Sequence, residues 1–327
     1  MSNSKFGILV YDDYRDFYNV GDYVQSLAAQ SFFGKPDVYI NRERSSEYNG
    51  EPIKMIANGW YTHTKTDGWI ASEKIKPLFV SFHLNSAAKN SMLNEKGIAF
   101  LKKNEPIGCR DQNTVKELKA VGINAYFTGC LTLTLDRYKK QNIEREKIYI
   151  VDPLYNYPQQ DYITSHYKPL VKSILNGDIF NLNKTKNHLS KIFTKDLLEN
   201  AEYIKQAMSG KDVSYEQRFK LADELLEKYS TAKLVITSRI HCALPCLAMG
   251  TPVIYVNGFD SFADTCRFEG ILDLFNRVDV DSKTGVFSAN FEFEGDKISD
   301  SVEIINKENY LELANALKNT CNKFVNS

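Results

Sequence analysis

The chain has 327 residues, 43% of them hydrophobic, and carries 41 basic against 41 acidic side chains. That length suits two domains of ordinary size better than one. A net charge of zero lacks the basic excess of a nucleic-acid protein, although local charge can still select a small anion.

Lys5–Tyr11 (KFGILVY) reads as a buried strand and Asp22–Phe33 as a helix, apolar at Val24, Leu27, Ala28 and Phe32. Asp37–Asn41 and Ile53–Asn58 follow as short strands, and Pro77–His83 (PLFVSFH) as a strong one. Next come a helix at Glu95–Lys103, a short strand at Pro106–Cys109, an amphipathic helix at Asp111–Val121 stopped by Gly122, and a strand at Asn124–Thr128. Such alternation predicts an α/β fold, a parallel sheet with helices on both faces. The charged stretch Asp136–Lys147 is the expected crossover between domains, and Lys147–Asp152 (KIYIVD) opens a second strand series. Residues 153–215, rich in Tyr, Asn and Lys, give no pattern beyond helices expected at 187–208. A clear pattern returns with a helix at Tyr215–Tyr229, a strand at Ala232–Thr237, a helix at His241–Met249, a strand at Thr251–Val256 and a closing helix at Lys307–Phe324. The expected architecture is two open α/β halves, residues 1–140 and 141–305, facing a cleft, with 306–327 as a candidate to pack back on the first half.

The opening MSNSKFGILVYDD runs too soon into acids for a secretory leader, and no run of about 18 apolar residues is present to span a membrane. A cytoplasmic location is therefore expected. Of the six cysteines, Cys242 and Cys246 are four apart but lack a second close pair, a poor zinc pattern. They read as small buried residues of a reducing compartment, and no metal is implied.

Three segments carry candidate chemistry. In AKLVITSRIHCALPCLAMGTPVIYV (232–256) a buried strand ends at Thr237-Ser238, Arg239 and His241 follow at once, and a small-residue helix begins. Ligands of open α/β sheets bind where strands end. A helix N-terminus there offers free N–H groups to an anion, Arg239 adds a planar fork, and His241 can trade a proton near neutral pH. Pro245 would deprive the His241 carbonyl of its usual partner. The alternative is an ordinary turn, with Arg239 on a surface acid and His241 packed. A second segment, 104–135, sets Arg110 at a strand end beside a helix that Asp111 or Asn113 can cap, with Thr128-Gly129-Cys130 at the same sheet edge. Two arginines from two halves can then share one dianion. The third, YNVGDYVQSLAAQ (18–30), lacks the GxGxxG dinucleotide fingerprint. Gly21 permits close backbone approach, Asp22 is a natural N-cap, and Asn19, Asp22 or Gln25 can meet a sugar hydroxyl. His83, at the end of PLFVSFH, is a further acceptor-site candidate, while His63, His166 and His188 are taken as surface residues.

At these segments the chain resembles the polysaccharide pyruvyl transferase family. The resemblance runs in order through Asn19-x-Gly21-Asp22, Arg110-Asp111-x-x-Thr114, Thr128-Gly129-Cys130, Ser238-Arg239-Ile240-His241 and Gly250-Thr251-Pro252-Val253; residues 153–215 match nothing recognisable. It implies two Rossmann-like domains facing a cleft in a GT-B-like arrangement, and transfer of a pyruvyl group from phosphoenolpyruvate to a hydroxyl pair of a sugar, galactose-type first. By the same resemblance Arg239 and His241 match the family's donor-binding arginine and histidine, and Arg110 a second donor-binding arginine; the reading of the residues themselves adds Ser238 and Ile240 on the donor side, His241 as the catalytic proton-transfer group, and Asn19, Asp22 and His83 on the acceptor side. Phosphoenolpyruvate is then a substrate and no cofactor is required. The acceptor is a sugar or a lipid-linked oligosaccharide, with no nucleic acid, no transmembrane segment and peripheral membrane contact left open. A nucleotide-sugar glycosyltransferase of similar fold and a non-catalytic sugar-binding protein are the competing readings. The first would need a base-stacking slot, and the second is disfavoured by Arg110, Arg239 and His241 together.

Overall fold

The computed structural model describes residues 4–12, 17–158, 181–209, 213–261 and 265–327, together with 163, 171 and 173–175. Its first half comprises β1 (Lys5–Val10), β2 (Phe17–Asn19), α1 (Val20–Gln30), β3 (Val38–Asn41), β4 (Ile53–Tyr61), β5 (Ile75–Leu84), α2 (Lys89–Met92), α3 (Glu95–Lys103), β6 (Ile107–Cys109), α4 (Gln112–Ala120) and β7 (Ala125–Phe127). Six of these strands form an all-parallel sheet in the order β3-β1-β4-β5-β6-β7. The second half holds β8 (Ile148–Val151), α5 (Lys184–Ile192), α6 (Lys195–Asn200), β9 (Glu202–Ile204), β10 (Ala207–Ser209), α7 (Tyr215–Ser230), β11 (Leu234–Thr237), α8 (Ile240–Met249), β12 (Val253–Asn257), β13 (Asn276–Val280), β14 (Phe287–Ala289) and α9 (Leu311–Asn326). Its sheet runs β14-β13-β12-β11-β8-β9, parallel except for the antiparallel edge strand β14.

Continuous apolar strands make sense in this setting, because a parallel sheet covered on both faces buries every side chain. In β8 and β11, Tyr149, Val151 and Val235 join one core, while Ile148, Ile150, Leu234 and Ile236 face another. The first core also takes in the strands of the first sheet and all of the apolar side chains of α8, whose ten residues are buried throughout. A helix apolar all round belongs in such an interior. The antiparallel ribbon β2–β10 ties the halves together, with Ala207 opposite Asn19 and the Val20 N–H donating to the Gln206 carbonyl at 2.9 Å. At the C-terminus, α9 buries Ala314, Leu317 and Cys321, and Lys54 of β4 reaches the carbonyls of Phe324, Val325 and Ser327.

Three local expectations are corrected. The stretch 187–208 is not helical throughout: α5 and α6 end by Asn200, and β9 and β10 follow, drawn into strands by pairing with β8 and β2. The cap of α1 is Asn19, whose Oδ1 accepts from the Gly21 N–H at 3.1 Å, so Asp22 lies inside the first turn instead of capping it. His188 is buried, edge-on to Tyr157 and pressed against Gly285, which has no Cβ to obstruct the ring. His166 lies outside the described residues.

Both sheets reverse their order beside the first strand. The chain leaves β1 for β3 on one side and then β4 on the other, and it leaves β8 for β9 on one side and β11 on the other. Each reversal opens a crevice at the carboxyl ends of the strands, the usual place for a ligand. One cavity of about 290 Å³ collects residues from both: Tyr11 after β1, Trp60 in β4, Tyr155 after β8 and Arg239 after β11. No described helix is long and apolar enough to cross a membrane.

Candidate active site

Arg110 is placed by the junction of β6 and α4. Its N–H donates to the Phe82 carbonyl at 2.9 Å, and Asp111 caps α4 by accepting from the Thr114 N–H at 2.8 Å. The other Asp111 oxygen holds His83 Nδ1 at 2.6 Å. Arg110 is 2% exposed, yet it lines the cavity and its Nε has no hydrogen-bond partner among the described residues. A buried guanidinium left this way is costly unless an anion completes it.

The junction of β11 and α8 supplies the opposite wall. The Thr237 hydroxyl donates to the Val151 carbonyl at 2.8 Å and accepts from the Arg239 N–H at 2.9 Å. Ser238 donates to the Val256 carbonyl at 2.6 Å and accepts from the Leu154 N–H at 2.8 Å. These bonds fix the turn, so that Arg239 becomes the N-cap residue of α8 with its side chain in the cavity. Its Nε donates to Asp152 at 2.9 Å and its guanidinium lies 3.7 Å from the centre of the Tyr155 ring. His241, 8% exposed, also lines the cavity, and its Nε2 has no hydrogen-bond partner among the described residues. Pro245 sits within α8, and Gly250 ends the helix in the left-handed region (φ 70°).

The first turn of α1 completes the enclosure. A Cβ on Gly21 would stand 3.1 Å from His241 Cβ, so the start of α1 abuts the start of α8 with no room for a side chain between them. Asn19, Asp22, Arg110, Arg239, Ile240 and His241 thus meet in one cavity. Ser238 and His83 do not line it. Both are buried behind it, Ser238 bracing the turn of α8 and His83 bracing Asp111.

Sequence reading missed several groups at the site. Arg267 is a third arginine on the cavity, donating to the Tyr155 hydroxyl at 2.6 Å. Its surroundings, DTCRFEG, show no strand-to-helix signature. Trp60 and the exposed His63 line the other side. Beneath them Arg42 is held 4.8 Å from the Tyr11 ring and 5.0 Å from the Trp60 ring, and pairs with Glu43. Glu43 in turn accepts from the His63 N–H at 2.9 Å and the Thr64 N–H at 3.0 Å, fixing the loop that carries His63.

Electrostatics follow from the crowding of cations. Burial first, then the guanidinium groups of Arg110, Arg267 and Arg239, hold His241 well below the ordinary histidine range, so its imidazole is neutral at pH 7. His83 is pushed down to about 4 by burial and Arg110. Burial raises Asp22, with Arg42, Arg110 and Arg239 pulling the other way. Burial also opposes ionisation of Asp111, but His83, Arg110 and the Thr114 N–H hold its carboxyl below the usual range. Among the described residues no group of three or more His, Cys, Asp or Glu is arranged to hold a metal ion. The arrangement is an anion site with an unprotonated acid–base group at its edge.

No curated protein matches the chain. A functionally uncharacterised protein of Klebsiella pneumoniae, solved by crystallography, aligns at 16% identity with a TM-score of 0.42, over 82% of this chain and 88% of that one. The profile of the polysaccharide pyruvyl transferases matches residues 19–260, a span holding Asn19, Arg110 and the Arg239–His241 turn, and the chain belongs to that family.

Proposed function

We propose that the protein transfers the pyruvyl group of phosphoenolpyruvate onto two hydroxyls of one sugar, forming a cyclic ketal, with a galactose-type residue of a surface polysaccharide or its lipid-linked precursor as acceptor. The observation that carries this reading is Arg110: a buried guanidinium whose Nε has no partner among the described residues, in the same cavity as Arg239 and as the Nε2 of His241, likewise without a partner among them. Phosphoenolpyruvate brings a phosphate and a carboxylate, matched in charge to that wall. At about 290 Å³ the cavity sits at the small end of ligand pockets. The Tyr155 ring beside the arginines is already covered by Arg239, which speaks against a nucleotide base there. We read the two sheets as the Rossmann-like halves of a GT-B-type pair, and a soluble metabolite donor fits a cytoplasmic site.

The chemistry balances as follows. A proton enters the methylene carbon, making it a methyl group, and a first sugar hydroxyl bonds to the cationic C2 and gives up its own proton. The second hydroxyl then bonds to C2 as the phosphate oxygen leaves, and its proton departs with phosphate. Burial first, and then three guanidinium groups, hold His241 low in the free protein, so the donor's negative charge offsets the guanidinium part and raises its affinity for a proton. His241 then delivers that proton to the methylene carbon and is recharged from the first hydroxyl. Asn19 and Asp22, on the α1 side, face the acceptor.

Calorimetry with phosphoenolpyruvate and with UDP-, GDP- and CMP-sugars tests the donor. Binding of a nucleotide sugar with no binding of phosphoenolpyruvate would sink the reading. For the mechanism, His241→Gln is expected to keep donor affinity and lose about 100-fold or more in phosphate release with a galactoside acceptor, the scale of a general acid–base group. Wild-type turnover in that variant removes His241 from the reaction.

A further inference from the structure

Arg267 stands outside the matched family span, which ends at residue 260, yet its side chain reaches the same cavity as Arg110 and Arg239. Its position is built. The guanidinium carbon lies 4.8 Å from the centre of the Phe268 ring, a side chain 1% exposed, and 5.8 Å from that of Phe259. One terminal nitrogen donates to the Tyr155 hydroxyl at 2.6 Å. The face of that same Tyr155 ring carries Arg239 at 3.7 Å, and Asp152 fixes Arg239 from its Nε at 2.9 Å. Tyr155 therefore acts as a spacer between two like charges, one on its face and one at its hydroxyl. Holding two guanidinium groups beside one cavity opposes their mutual repulsion, which a multiply charged anion relieves.

We infer that Arg267, set by Tyr155, is the residue that takes the carboxylate of the donor, and that it selects donors carrying a carboxylate beside the phosphate. This rests on phosphoenolpyruvate being the donor, and it follows from the three substituents on C2 of that molecule. The phosphate belongs where helix N-termini and forks coincide, at Arg239, which caps α8, and at Arg110, which precedes the cap of α4. The methylene carbon belongs at His241. The third substituent is the carboxylate, and the third group on the wall is Arg267, which comes from a single 3-10 turn (Cys266–Phe268) after β12 and not from the start of an α-helix. The site then holds all three directions of a flat carbon, which fixes the face that the first hydroxyl meets.

The test compares two small anions by calorimetry: phosphoglycolate, with phosphate and carboxylate, and ethyl phosphate, with phosphate alone. Wild type is expected to bind phosphoglycolate more tightly. Arg267→Gln should weaken phosphoglycolate by about tenfold or more, the worth of a charge-assisted hydrogen bond, and leave ethyl phosphate within about twofold. Tyr155→Phe, which keeps the ring under Arg239 and removes only the hydroxyl, should shift the same ratio in the same direction by less. In turnover, Arg267→Gln should raise KM for phosphoenolpyruvate far more than it lowers kcat. Equal weakening of both anions, or none, overturns the assignment. Melting temperatures of Arg267→Gln and Arg267→Lys separate loss of fold from loss of contact. If wild type discriminates the two anions through Arg267 but never turns over phosphoenolpyruvate, the carboxylate site stands and the donor reading falls.

Discussion

Arg110 is a side chain placed at a cost to stability, and the proposed donor would give that placement its reason. Its charge is buried, its Nε has no partner among the described residues, and burial works against the charged form. Removing the guanidinium relieves that burial but withdraws a counter-charge from Asp22 and Asp111, two opposed effects on stability. Arg110→Met is therefore expected to shift the melting temperature little while donor affinity falls about 100-fold, two charge-assisted contacts at roughly 1.5–3 kcal/mol each being removed in part. A lower melting temperature with donor binding intact would show that Arg110 serves the fold. Arg239 answers to a different argument. Asp152 and the Tyr155 ring grip a planar guanidinium, and a lysine ammonium satisfies neither the stacking nor the fork. Arg239→Lys should weaken phosphoenolpyruvate by about tenfold although the charge is kept, an effect of roughly 1.4 kcal/mol. Unchanged binding by calorimetry would take Arg239 out of the anion clamp.

The elements that carry the site are the strand-to-helix junctions, and these were the parts most legible in the sequence. Apolar runs such as KFGILVY and AKLVIT mark buried strands, and the polar residues directly after a strand mark where a ligand would sit, which is why the sequence alone singles out Arg110, Arg239 and His241. The same logic oversold Ser238 and His83. It locates a strand end but not the direction of a side chain, and both turn inward to brace neighbours. Arg267 and Tyr155 escaped because short turns carry no local periodic signal, and Trp60 because β4 runs on to Tyr61, past the strand expected at Ile53–Asn58. The edge strands β9 and β10 escaped because their partners, β8 and β2, lie far away in the chain. One junction makes its own prediction. The starts of α1 and α8 meet at Gly21, where a Cβ would sit 3.1 Å from His241 Cβ and 3.3 Å from its Nδ1. Gly21→Ala must push the imidazole aside by a few tenths of an ångström, and misplacement on the scale of 1 Å costs about 100-fold in rate. Turnover should drop about tenfold or more, short of that limit, with little change in melting temperature. Full activity would show that the two helix starts tolerate separation.

At the scale of the whole molecule, four buried or crowded histidines make stability depend on pH. His83 is pushed down to about 4, chiefly by burial, the exposed His63 to about 4 by partial desolvation of its ring and the charge of Arg42, and His188 and His241 are lowered by burial and neighbouring cations. A histidine with a lowered folded value binds its proton more readily in the unfolded chain, so stability falls as pH drops below the ordinary value near 6.5. Asp22, raised by burial, works the other way, but it is one group against four. Asp111 and Glu43, both held low, add to the loss at more acidic pH still. The melting temperature of the free protein should therefore decline steadily between about pH 7 and pH 4. Donor binding should change that slope, because an anion offsets the guanidinium share of one depression, that of His241, while burial remains. If the donor's anion sits among Arg110, Arg239 and Arg267 as proposed, the folded value of His241 rises, and binding takes up a proton at pH values between the free and the donor-bound value. Affinity then rises up to about tenfold for each unit that pH falls within that window. At fixed phosphoenolpyruvate in excess of Kd, stabilisation follows the logarithm of the ratio of donor to Kd, about 2.7 kcal/mol at 100-fold excess. The gain in melting temperature on adding donor should be larger at pH 6.5 than at pH 8 in the wild type and flat with pH in His241→Gln. The measurement is a pair of thermal melts at each pH, with and without phosphoenolpyruvate. A wild-type gain that does not change with pH would mean that His241 stays neutral in the complex, and that the proton for the methylene carbon comes from another group.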